Sequence, residues 1–542
     1  MRIGVDVGGT NTDAVLVDGA TVVASTKQPT SADISSGITS AVVAILEQTN
    51  IQTDSIGSIT IGTTHFTNAL VQSTELDQVG IIRLASPSGE ALPPLTGWPS
   101  SLASRIGGNT FLLPGGYEVD GREISALDER LVRDAAQVCQ QSSIKNIAIS
   151  SAFAPLNASM EMRAAEIVKQ EFPQATLSLS HLIGRIGLIE RENSTIINAA
   201  LSSLAERVIA SFQSALKDLR IAAPLYISQN DGTLISAAYA AQYPVMTIGS
   251  GPTNSMRGAA FLSGLRNAVV MDVGGTTCDI GVLVNGYPRE SSLSANIGGV
   301  RTNFRTPDIY ALGLGGGTRI HADVPALRSS DVSECTFEIG PDSLGYKISR
   351  ESYLFGGSTL TASDVAVRAG FAKFGDSSQL PPMSEEVVTA IIAKMRTMLE
   401  DGLDRMKTSI DDVPLVAVGG GSILIGDQLR GCSSIVRPPH ASVANAVGAA
   451  IGQIGSHIEQ LVDYDQIPRD IALDHLKQRA SERVISAGGR AETVEIVEVE
   501  EVLLSYLPGR STQVRLKAVG DLGSSFSDSS PTQELEVIRH AN

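Results

Sequence analysis

Two copies of the pattern D-V-G-G-T-x-x-D are the first candidates for chemistry in this sequence. The first copy runs from Asp6 to Asp13 and the second from Asp272 to Asp279, each between short apolar runs. A carboxylate beside a Gly-Gly turn can hold waters of a Mg²⁺ shell. Successive N–H groups in such a turn form a concave site for an anion. The pattern therefore predicts phosphate and magnesium chemistry at two places in one chain.

The flanking residues predict that each copy is a strand, a tight turn and a second strand. β-Branched runs precede the turns at Ile3–Val7 and Val269–Val273, and apolar runs follow at Ala14–Val17 and Ile280–Val284. The glycines let the backbone approach a ligand closely. One such hairpin is common in α/β proteins and needs no function. Two near-identical copies in separate parts of the chain predict a duplicated domain that clasps a nucleotide's phosphates between its hairpins.

The two hairpins supply most of the predicted site. Asp6 and Asp272 are predicted to carry the Mg-ATP chemistry and to be the metal-binding carboxylates. The remaining cofactor-binding residues predicted in the hairpins are Gly8, Gly9, Thr10, Asn11, Asp13, Gly274, Gly275, Thr276 and Thr277. The threonine hydroxyls and the Asn11 amide either donate to phosphates or satisfy the backbone of the turns. The sequence leaves both roles open.

A third glycine cluster follows a buried strand within Val413–Ile425. Its residues Gly419, Gly420, Gly421 and Ser422 are predicted to hold the adenosine, because glycines let a flat ring or a ribose lie against backbone. The G-x-G-x-x-G fingerprint of dinucleotide-binding folds is absent. Ala441–Ile454 is rich in small residues, which predicts either a helix packed closely on a second helix or a plain alanine-rich core helix. Asn157–Ala165 is a candidate start for that second helix.

The order of these motifs resembles that of actin, the chaperone ATPases and the sugar kinases. The resemblance implies an α/β fold with duplicated actin-like ATPase (ribonuclease H-like) domains around an interdomain nucleotide cleft, with ATP and Mg²⁺ as cofactors. We predict domains at residues 1–190 and 191–470. Residues 471–542 are predicted to form a small C-terminal β appendage and a flexible tail, because Thr493–Leu504 alternates apolar and acidic residues and can pair with Thr512–Val519.

Bulk composition excludes several classes of protein. The 542 residues are too many for one hydrophobic core, which predicts two or three domains. A net charge of −17 without a Lys/Arg run argues against nucleic-acid and acidic-membrane partners. The four cysteines lie far apart and form no CxxC pair, which argues against a disulfide framework or a structural zinc site. No apolar stretch is long enough for a membrane helix, and a cytoplasmic location is expected.

Four further segments resemble the hydantoinase/oxoprolinase family, in particular its N-methylhydantoinase A-type subunit. They are I-G-T-T-H-F-T-N-A-L-V-Q (61–72), I-E-R-E-N-S-T-I-I-N-A-A-L (189–201), I-S-Q-N-D-G-T-L (227–234) and G-S-G-P-T-N-S-M-R-G-A-A (249–260). The resemblance covers residues 1 to about 455. It implies that Thr64, His65, Asn68 and Asp308 contact substrate.

The sequence also departs from the family's pattern. The family often has D-I-H before its later glycine run, whereas this chain has Asp308-Ile309-Tyr310, so a role of that histidine does not transfer. Residues 335–363 are unlike the family's usual stretch, which leaves the substrate open. A lone histidine such as His65 is more often structural than functional. The charged triplet Glu190-Arg191-Glu192 fits a solvated helix face or the interdomain cleft.

The resemblance implies an ATP-dependent hydrolase that opens a cyclic amide such as a hydantoin, 5-oxoproline or a lactam. Phosphoryl transfer to the carbonyl oxygen would overcome the resonance that makes an amide a poor electrophile. A second hydantoinase-type subunit, or a homo-oligomer, is the implied partner. One alternative is the ATP-binding subunit of a ketone carboxylase-type enzyme. The alternative from a different class is a non-enzymatic actin-like or chaperone-like ATPase.

Overall fold

The structure is a computed structural model that describes residues 1–8, 11–29, 34–291, 295–303, 306–332, 335–504 and 509–523. The strands of its first part are β1 (Arg2–Val7), β2 (Asn11–Asp18), β3 (Thr21–Pro29), β4 (Ser58–Thr63), β5 (Val79–Ser86), β6 (Gly107–Pro114), β7 (Asn146–Ser151), β8 (Thr176–Leu179), β9 (Leu225–Ser228) and β10 (Thr233–Ser236). The helices of this part are α1 (Ile34–Thr49), α2 (His65–Gln72), α3 (Ser100–Ile106), α4 (Glu129–Gln141), α5 (Ser159–Glu171), α6 (Leu188–Ala200), α7 (Ser202–Asp218), α8 (Ala237–Gln242) and α9 (Ser250–Ser263).

The second part of the chain continues the alternation of strands and helices. Its strands are β11 (Ala268–Val273), β12 (Cys278–Val284), β13 (Tyr287–Pro288), β14 (Ala295–Ile297), β15 (Val300–Thr302), β16 (Ile309–Leu312), β17 (Thr318–Ala322), β18 (Phe337–Ser343), β19 (Val413–Val418), β20 (Cys432–Val436), β21 (Gln453–Asp463), β22 (Glu495–Leu503) and β23 (Ser511–Gly520). Its helices are α10 (Ile348–Glu351), α11 (Ala362–Arg368), α12 (Glu385–Met406), α13 (Ala444–Ala450) and α14 (Arg469–Ser486).

The two D-V-G-G-T-x-x-D copies form equivalent hairpins in two different sheets. β1 pairs antiparallel with β2 and parallel with β4, and β11 pairs antiparallel with β12 and parallel with β19. The register is also equivalent, since Asp6 lies opposite Asp13 and Asp272 lies opposite Asp279. The fold is therefore the duplicated actin-like α/β arrangement that the repeat predicts.

The first sheet draws its strands from both ends of the chain. Its nine strands follow the order β22-β23-β21-β10-β9-β4-β1-β2-β3, and the second sheet follows β13-β12-β11-β19-β20 with β16 beside β12. β22 and β23 pair antiparallel, as the alternating tail pattern predicts, and β21 joins them to the first sheet. The division predicted at residues 190 and 470 does not coincide with a sheet boundary. The domain limits themselves stay a prediction.

A third sheet, β6-β5-β7-β8, is held to the rest of the first part by buried charges on α6. Glu192 accepts hydrogen bonds from Arg83 Nε at 2.7 Å and from Ser150 Oγ at 2.7 Å. Arg191 donates to Ser180 Oγ at 2.9 Å. The Arg83, Arg191 and Glu192 side chains are almost fully buried. The interpretation of Glu190-Arg191-Glu192 as a solvated helix face was therefore wrong for Arg191 and Glu192, because their partners lie on the third sheet and in the turn that follows β8.

Helices α9 and α13 cross between the two main sheets at backbone contact distance. α13 packs on β1 and β2, while α9 packs on β11, β12 and β19. A Cβ at Gly258 would lie 1.9 Å from the carbonyl oxygen of Ala444, and a Cβ at Gly448 would lie 1.8 Å from that of Asn254. Only glycine leaves room for this crossing. The predicted close packing of a small-residue helix is confirmed.

Two details of that prediction were wrong. The helix predicted over Ala441–Ile454 is α-helical only from Ala444 to Ala450, and the chain then turns into β21 at Gln453. The turn occurs where the chain passes against Leu234, since a Cβ at Gly452 would lie 2.5 Å from that side chain. The partner helix is α9, not the segment at Asn157–Ala165. That segment leads into α5, which packs on α4 and β7.

Residues 335–363, which are unlike the family's usual stretch, contain β18, α10 and short helical turns. β18 pairs with β17. α14 precedes β22 and β23 in the chain and packs on β21 and β23. Most of the tail predicted to be flexible, residues 524–532, lies outside the described residues. Over the ranges given above, we find no helix with both the length and the apolar character needed to cross a bilayer.

The helix crossing gives a direct stability prediction. Gly258→Ala places a methyl group against the Ala444 carbonyl, so we expect it to destabilise the protein by about 3 kcal/mol or more. Gly426→Ala is the matched control, because a Cβ there meets nothing within 4 Å. Thermal unfolding should give a clearly lower Tm for Gly258→Ala than for the control. Equal Tm values for the two variants would contradict the crossing.

Candidate functional site

The turns of the two hairpins share one hydrogen-bond pattern. Gly8 N–H donates to the Asn11 carbonyl at 3.0 Å, and Gly274 N–H donates to the Thr277 carbonyl at 2.8 Å. Gly9 and Thr10, which were predicted to bind cofactor, lie outside the described residues. In the second turn, the N–H groups of Gly275 and Thr276 donate to no described residue. Adjacent free N–H groups of this kind suit an anion.

Two glycine runs pack against the second hairpin. In the predicted adenosine loop, Gly419 adopts a φ of +85°, and a Cβ there would lie 2.3 Å from Asp272 Oδ1. Gly421 N–H donates to the Val273 carbonyl at 2.7 Å. Gly420 and Ser422 complete this loop, and Gly420 is exposed. The structure therefore brings the predicted adenosine loop directly onto the strand that carries Asp272.

The second run, residues 315–317, occupies the carbonyl groups of the turn. Gly316 N–H donates to the Gly274 carbonyl at 3.0 Å, and Gly317 N–H donates to the Gly275 carbonyl at 2.7 Å. The carbonyl dipoles of the turn are thereby used within the protein, while the N–H groups of Gly275 and Thr276 stay available. This division favours a negatively charged ligand at the turn.

Four carboxylates at the two hairpins perturb one another. Burial, then the charge of Asp13, raises the pKa of Asp6 to about 7, and the charge of Asp272 adds to the shift. Burial also raises the pKa of Asp272, and burial with the charge of Asp272 raises the pKa of Asp279 to about 7. The pKa of Asp13 is raised by burial against the lowering effect of Lys27. The charge of Asp272 acts on Asp6, and that of Asp13 acts on Asp272, so the two hairpins lie close together.

Four polar residues that the sequence analysis missed surround these carboxylates. Lys27 Nζ lies 2.5 Å from Asp13 Oδ2, and Asn445 Nδ2 donates to Asp6 Oδ2 at 3.4 Å. Ser255 lies near Asp272 and lowers the pKa of that carboxyl against the effect of burial. Asn254 Nδ2 and Asp6 Oδ1 both lie within 3 Å of the position that a Cβ would take at Gly62. For Asn445 the signal was a polar residue inside the small-residue run A-N-A-V-G.

The carboxylates fit the predicted magnesium only through water. Asp6 Oδ1 and Asp13 Oδ1 are buried without a hydrogen-bond partner among the described residues, which is the condition expected of groups that hold an absent cation or its waters. Over the same residues, no cluster of three or more His, Cys, Asp or Glu side chains could coordinate a metal directly. Mg²⁺ commonly keeps several waters and takes its other ligands from one or two carboxylates and substrate phosphates. The donor set fits that mode.

Three of the four predicted substrate residues lie together beside the first hairpin. Thr64 Oγ1 donates to the Val7 carbonyl at 3.3 Å, and Asn68 Nδ2 donates to Thr64 Oγ1 at 3.4 Å. The His65 ring lies 2.6 Å from Thr63 Oγ1, and burial lowers the pKa of that histidine.

The fourth predicted substrate residue, Asp308, is not brought to this place. It precedes β16, whose Ile309 pairs with Gly281, several residues along β12 from the turn. Its carboxylate accepts from Arg289 at 2.7 Å. Asp308 therefore neutralises Arg289 at the far end of that strand.

Two family models match this chain. The hydantoinase/oxoprolinase N-terminal region matches residues 2–172, and hydantoinase/oxoprolinase matches residues 191–376. Together they cover more than half of the sequence, including both hairpins. The chain belongs to the hydantoinase/oxoprolinase family. The motifs on which the sequence analysis based that resemblance fall within or directly after these matches.

Individual members of the family and solved structures extend the comparison. Caprolactamase subunit alpha of Pseudomonas jessenii is 26% identical over 88% of this chain and 71% of its own length. The crystal structure of ATP-dependent caprolactamase from the same organism superposes with a TM-score of 0.77 and 20% identity, covering 96% of this chain and 88% of that one. Nucleotide-free acetone carboxylase gives a TM-score of 0.68 and 17% identity over the same shares. At these identities the two structures establish the shared fold.

The raised pKa of Asp6 predicts how stability depends on pH. The folded-state pKa of about 7 exceeds the ordinary value of 3.8, so the folded state binds the proton more tightly and loses stability as pH rises from about 4 to 7. Asp6→Asn removes this loss. In metal-free, nucleotide-free buffer, its Tm should exceed that of the wild type by a larger margin at pH 8 than at pH 4.5. The corresponding change in the free energy of unfolding is about 1 to 3 kcal/mol.

The matched control for this measurement is Asp18→Asn, at the exposed end of the same hairpin. The control should show the same difference from the wild type at both pH values. A pH-independent effect of Asp6→Asn would contradict the burial of an ionisable carboxylate at this position.

Proposed function

We propose that this chain is the ATP-binding subunit of an enzyme that opens a cyclic amide by phosphoryl activation of its carbonyl group. The observation that carries the proposal is the pair of equivalent hairpins, which carry four aspartates with raised pKa values and, in the second turn, the free N–H groups of Gly275 and Thr276. A nucleotide between them would place its phosphates against the turns and its adenosine against residues 419–422. The similarity to caprolactamase, described as ATP-dependent, supports this choice of nucleotide.

The proposed chemistry assigns a task to each part of the cleft. The turn N–H groups, including those of Gly275 and Thr276, would bind the phosphate oxygens, and Lys27 would turn from Asp13 toward them. Asp6 and Asp272 would hold Mg²⁺ through water. Bound there, the metal would neutralise charge on the phosphates as the γ-phosphoryl group transfers. The turn of the second hairpin is oriented before ligand arrives, because Gly316 and Gly317 already occupy its carbonyl groups.

The bond changes of the proposed reaction balance as follows. The carbonyl oxygen of the cyclic amide forms a bond to the γ-phosphorus, the bond from that phosphorus to the β-γ bridging oxygen breaks, and ADP keeps the electron pair. The amide N–H loses its proton to a base, which leaves an imidate phosphate. Water then adds to the imidate carbon, the C–N bond breaks, the nitrogen leaves as an amine, and phosphate is released from the resulting acyl phosphate by a second water.

A second subunit is part of this proposal. The relative named caprolactamase subunit alpha carries a subunit designation, and we propose that this chain likewise works with a second hydantoinase-type subunit or as a homo-oligomer. We also propose a cytoplasmic location. All four cysteines are free, and three of them are buried, as expected in a reducing compartment.

A ketone carboxylase-type enzyme is the second candidate. It rests on the acetone carboxylase structure, whose TM-score of 0.68 over 96% of this chain is close to that of caprolactamase. In that case the same cleft would activate a different acceptor with ATP. The non-enzymatic actin-like or chaperone-like role has no comparable observation in its favour.

The proposed function is tested by turnover of Mg-ATP. We expect a cyclic amide from a panel of hydantoins, 5-oxoproline and larger lactams to stimulate phosphate release. Asp6→Ala and Asp272→Ala should each lower the stimulated rate at least about 100-fold, because each removes a group that acts on the transferring phosphoryl charge. Asp474→Ala, on the exposed face of α14, is the control and should leave the rate unchanged.

The outcomes separate the candidates. Stimulation by a cyclic amide supports the proposal and narrows the substrate. ATP binding with stimulation only by a ketone and bicarbonate favours the carboxylase. Polymerisation with ATP, followed by light scattering and without stimulated turnover, favours the non-enzymatic role. A wild-type chain that binds no ATP contradicts all three.

A further inference from the structure

The first turn of α9 lies where three parallel strands of the first sheet end. β1, β4 and β9 run parallel to one another, and ligands of such sheets bind beyond the carboxyl ends of the strands. α9 begins at Ser250 after Gly249, which has a φ of +86°. The N–H groups of Ser250 and Gly251 have no acceptor within the helix, and the helix dipole makes this end positive. A helix start by itself is not a site.

Three side chains around this turn are buried donors without acceptors. The exposed fractions of Ser250, Asn254 and Asn230 are 1%, 2% and 3%. Ser250 Oγ, Asn254 Nδ2 and Asn230 Nδ2 have no hydrogen-bond partner among the described residues. Native proteins leave few buried polar atoms unsatisfied. Three such donors at one helix start therefore indicate a ligand that supplies acceptor oxygens.

Contacts of α9 connect these donors to the first hairpin. Thr253 Oγ1 donates to the Asn230 carbonyl at 2.8 Å, which fixes the loop after β9 against the helix. A Cβ at Gly251 would lie 3.8 Å from Thr64 Cγ2, and Thr64 Oγ1 donates to the carbonyl of Val7, the residue before the hairpin turn.

Gly62 makes the closest connection. A Cβ there would lie 2.6 Å from Asn254 Nδ2 and 2.9 Å from Asp6 Oδ1. The Asn254 amide is thus a near neighbour of the carboxylate that the proposed function places beside the γ-phosphoryl group. Ser255, the next residue on the helix, lies near enough to Asp272 to lower the pKa of its carboxyl. α9 therefore places polar side chains near the aspartates of both hairpins from consecutive positions.

We propose that the first turn of α9, with Ser250, Asn254 and Asn230, binds the phosphoryl group on the acceptor side of the transfer, after the group has left ADP. This inference rests on the proposed function. The donors are neutral hydroxyl, amide and backbone N–H groups, which suit the oxygens of a phosphoryl group or of inorganic phosphate. The hairpin turns would hold the phosphates that stay on ADP. Gly62 has no side chain, so it then leaves the phosphate site at α9 and the site at the hairpin turns open to each other.

The position of Asp6 sets a condition on binding. Its carboxylate lies beside the donors and repels an anion while its charge is uncompensated. Binding of phosphate at α9 should therefore require Mg²⁺ and should be strongest when Mg-ADP occupies the hairpins. A surface that attracts phosphate by general charge would not show this dependence.

The test is calorimetric titration of inorganic phosphate into the full-length chain saturated with Mg-ADP. We expect Asn254→Asp, which keeps the shape but exchanges a donor for a carboxylate, to weaken phosphate binding at least tenfold. Ser250→Ala should weaken it about threefold or more. Asn109→Asp is the charge control, because Asn109 is a half-buried residue of the third sheet whose side chain donates to Ser142 Oγ, and it should bind phosphate like the wild type. The Kd for Mg-ADP should stay within about twofold in all variants.

The outcomes distinguish this inference from the proposed function. Normal Mg-ADP binding with phosphate affinity unchanged in Asn254→Asp and Ser250→Ala overturns the inference alone. A wild type that binds Mg-ADP but no phosphate also overturns it. Weaker phosphate binding in both variants, with Mg-ADP binding and Tm preserved, supports it. A wild type that binds no Mg-ADP overturns the proposed function and the inference together.

Discussion

The backbone contact between α9 and α13 is the constraint on which the cleft depends. Gly258 and Gly448 let each helix reach the other's carbonyl groups, and each helix also carries residues that contact the hairpins. Asn445 on α13 donates to Asp6, and Asn254 on α9 lies beside the same carboxylate. The packing of these two helices thus sets the distance between two hairpins that lie in different sheets. Close packing of this kind changes little when other parts of the protein move slightly.

This rigid frame concentrates negative charge that the protein does not neutralise. Asp6, Asp272 and Asp279 have raised pKa values because they are desolvated near one another, and Lys27 is paired with Asp13. Groups of this kind lower stability without ligand, and strongly perturbed carboxylates in a cleft are typical of functional sites. A cation would relieve the repulsion between the aspartates, and a polyphosphate bound with it would accept hydrogen bonds from the free N–H groups. This explains why one cleft contains both the carboxylates and the free N–H groups.

The hairpins, the glycine loop after β19 and the family could be predicted because each is a local pattern. Strand, turn and strand follow from residues close in sequence, and duplication at a spacing of 266 residues gave the two sheets equivalent positions. The sequence could not predict that α9 is the helix packed on α13. The α9 sequence resembles one more family segment, and only the folded structure shows that its glycines pack against α13. Asn254 was missed for the same reason, and Lys27 was missed because it meets Asp13 only through the pairing of β3 with β2. Burial of Arg191 and Glu192 could not be predicted either, because only the tertiary fold brings their partners Ser180 and Arg83 to α6.

The most direct test of this account is a structure of the chain with Mg²⁺ and a non-hydrolysable ATP analogue. The account predicts one nucleotide per chain, with its phosphates in contact with the turns at residues 8–11 and 274–277 and its adenosine against Gly419–Ser422. Phosphates that contact only one turn, or a nucleotide bound away from both, would contradict the claim that the two hairpins clasp a single nucleotide.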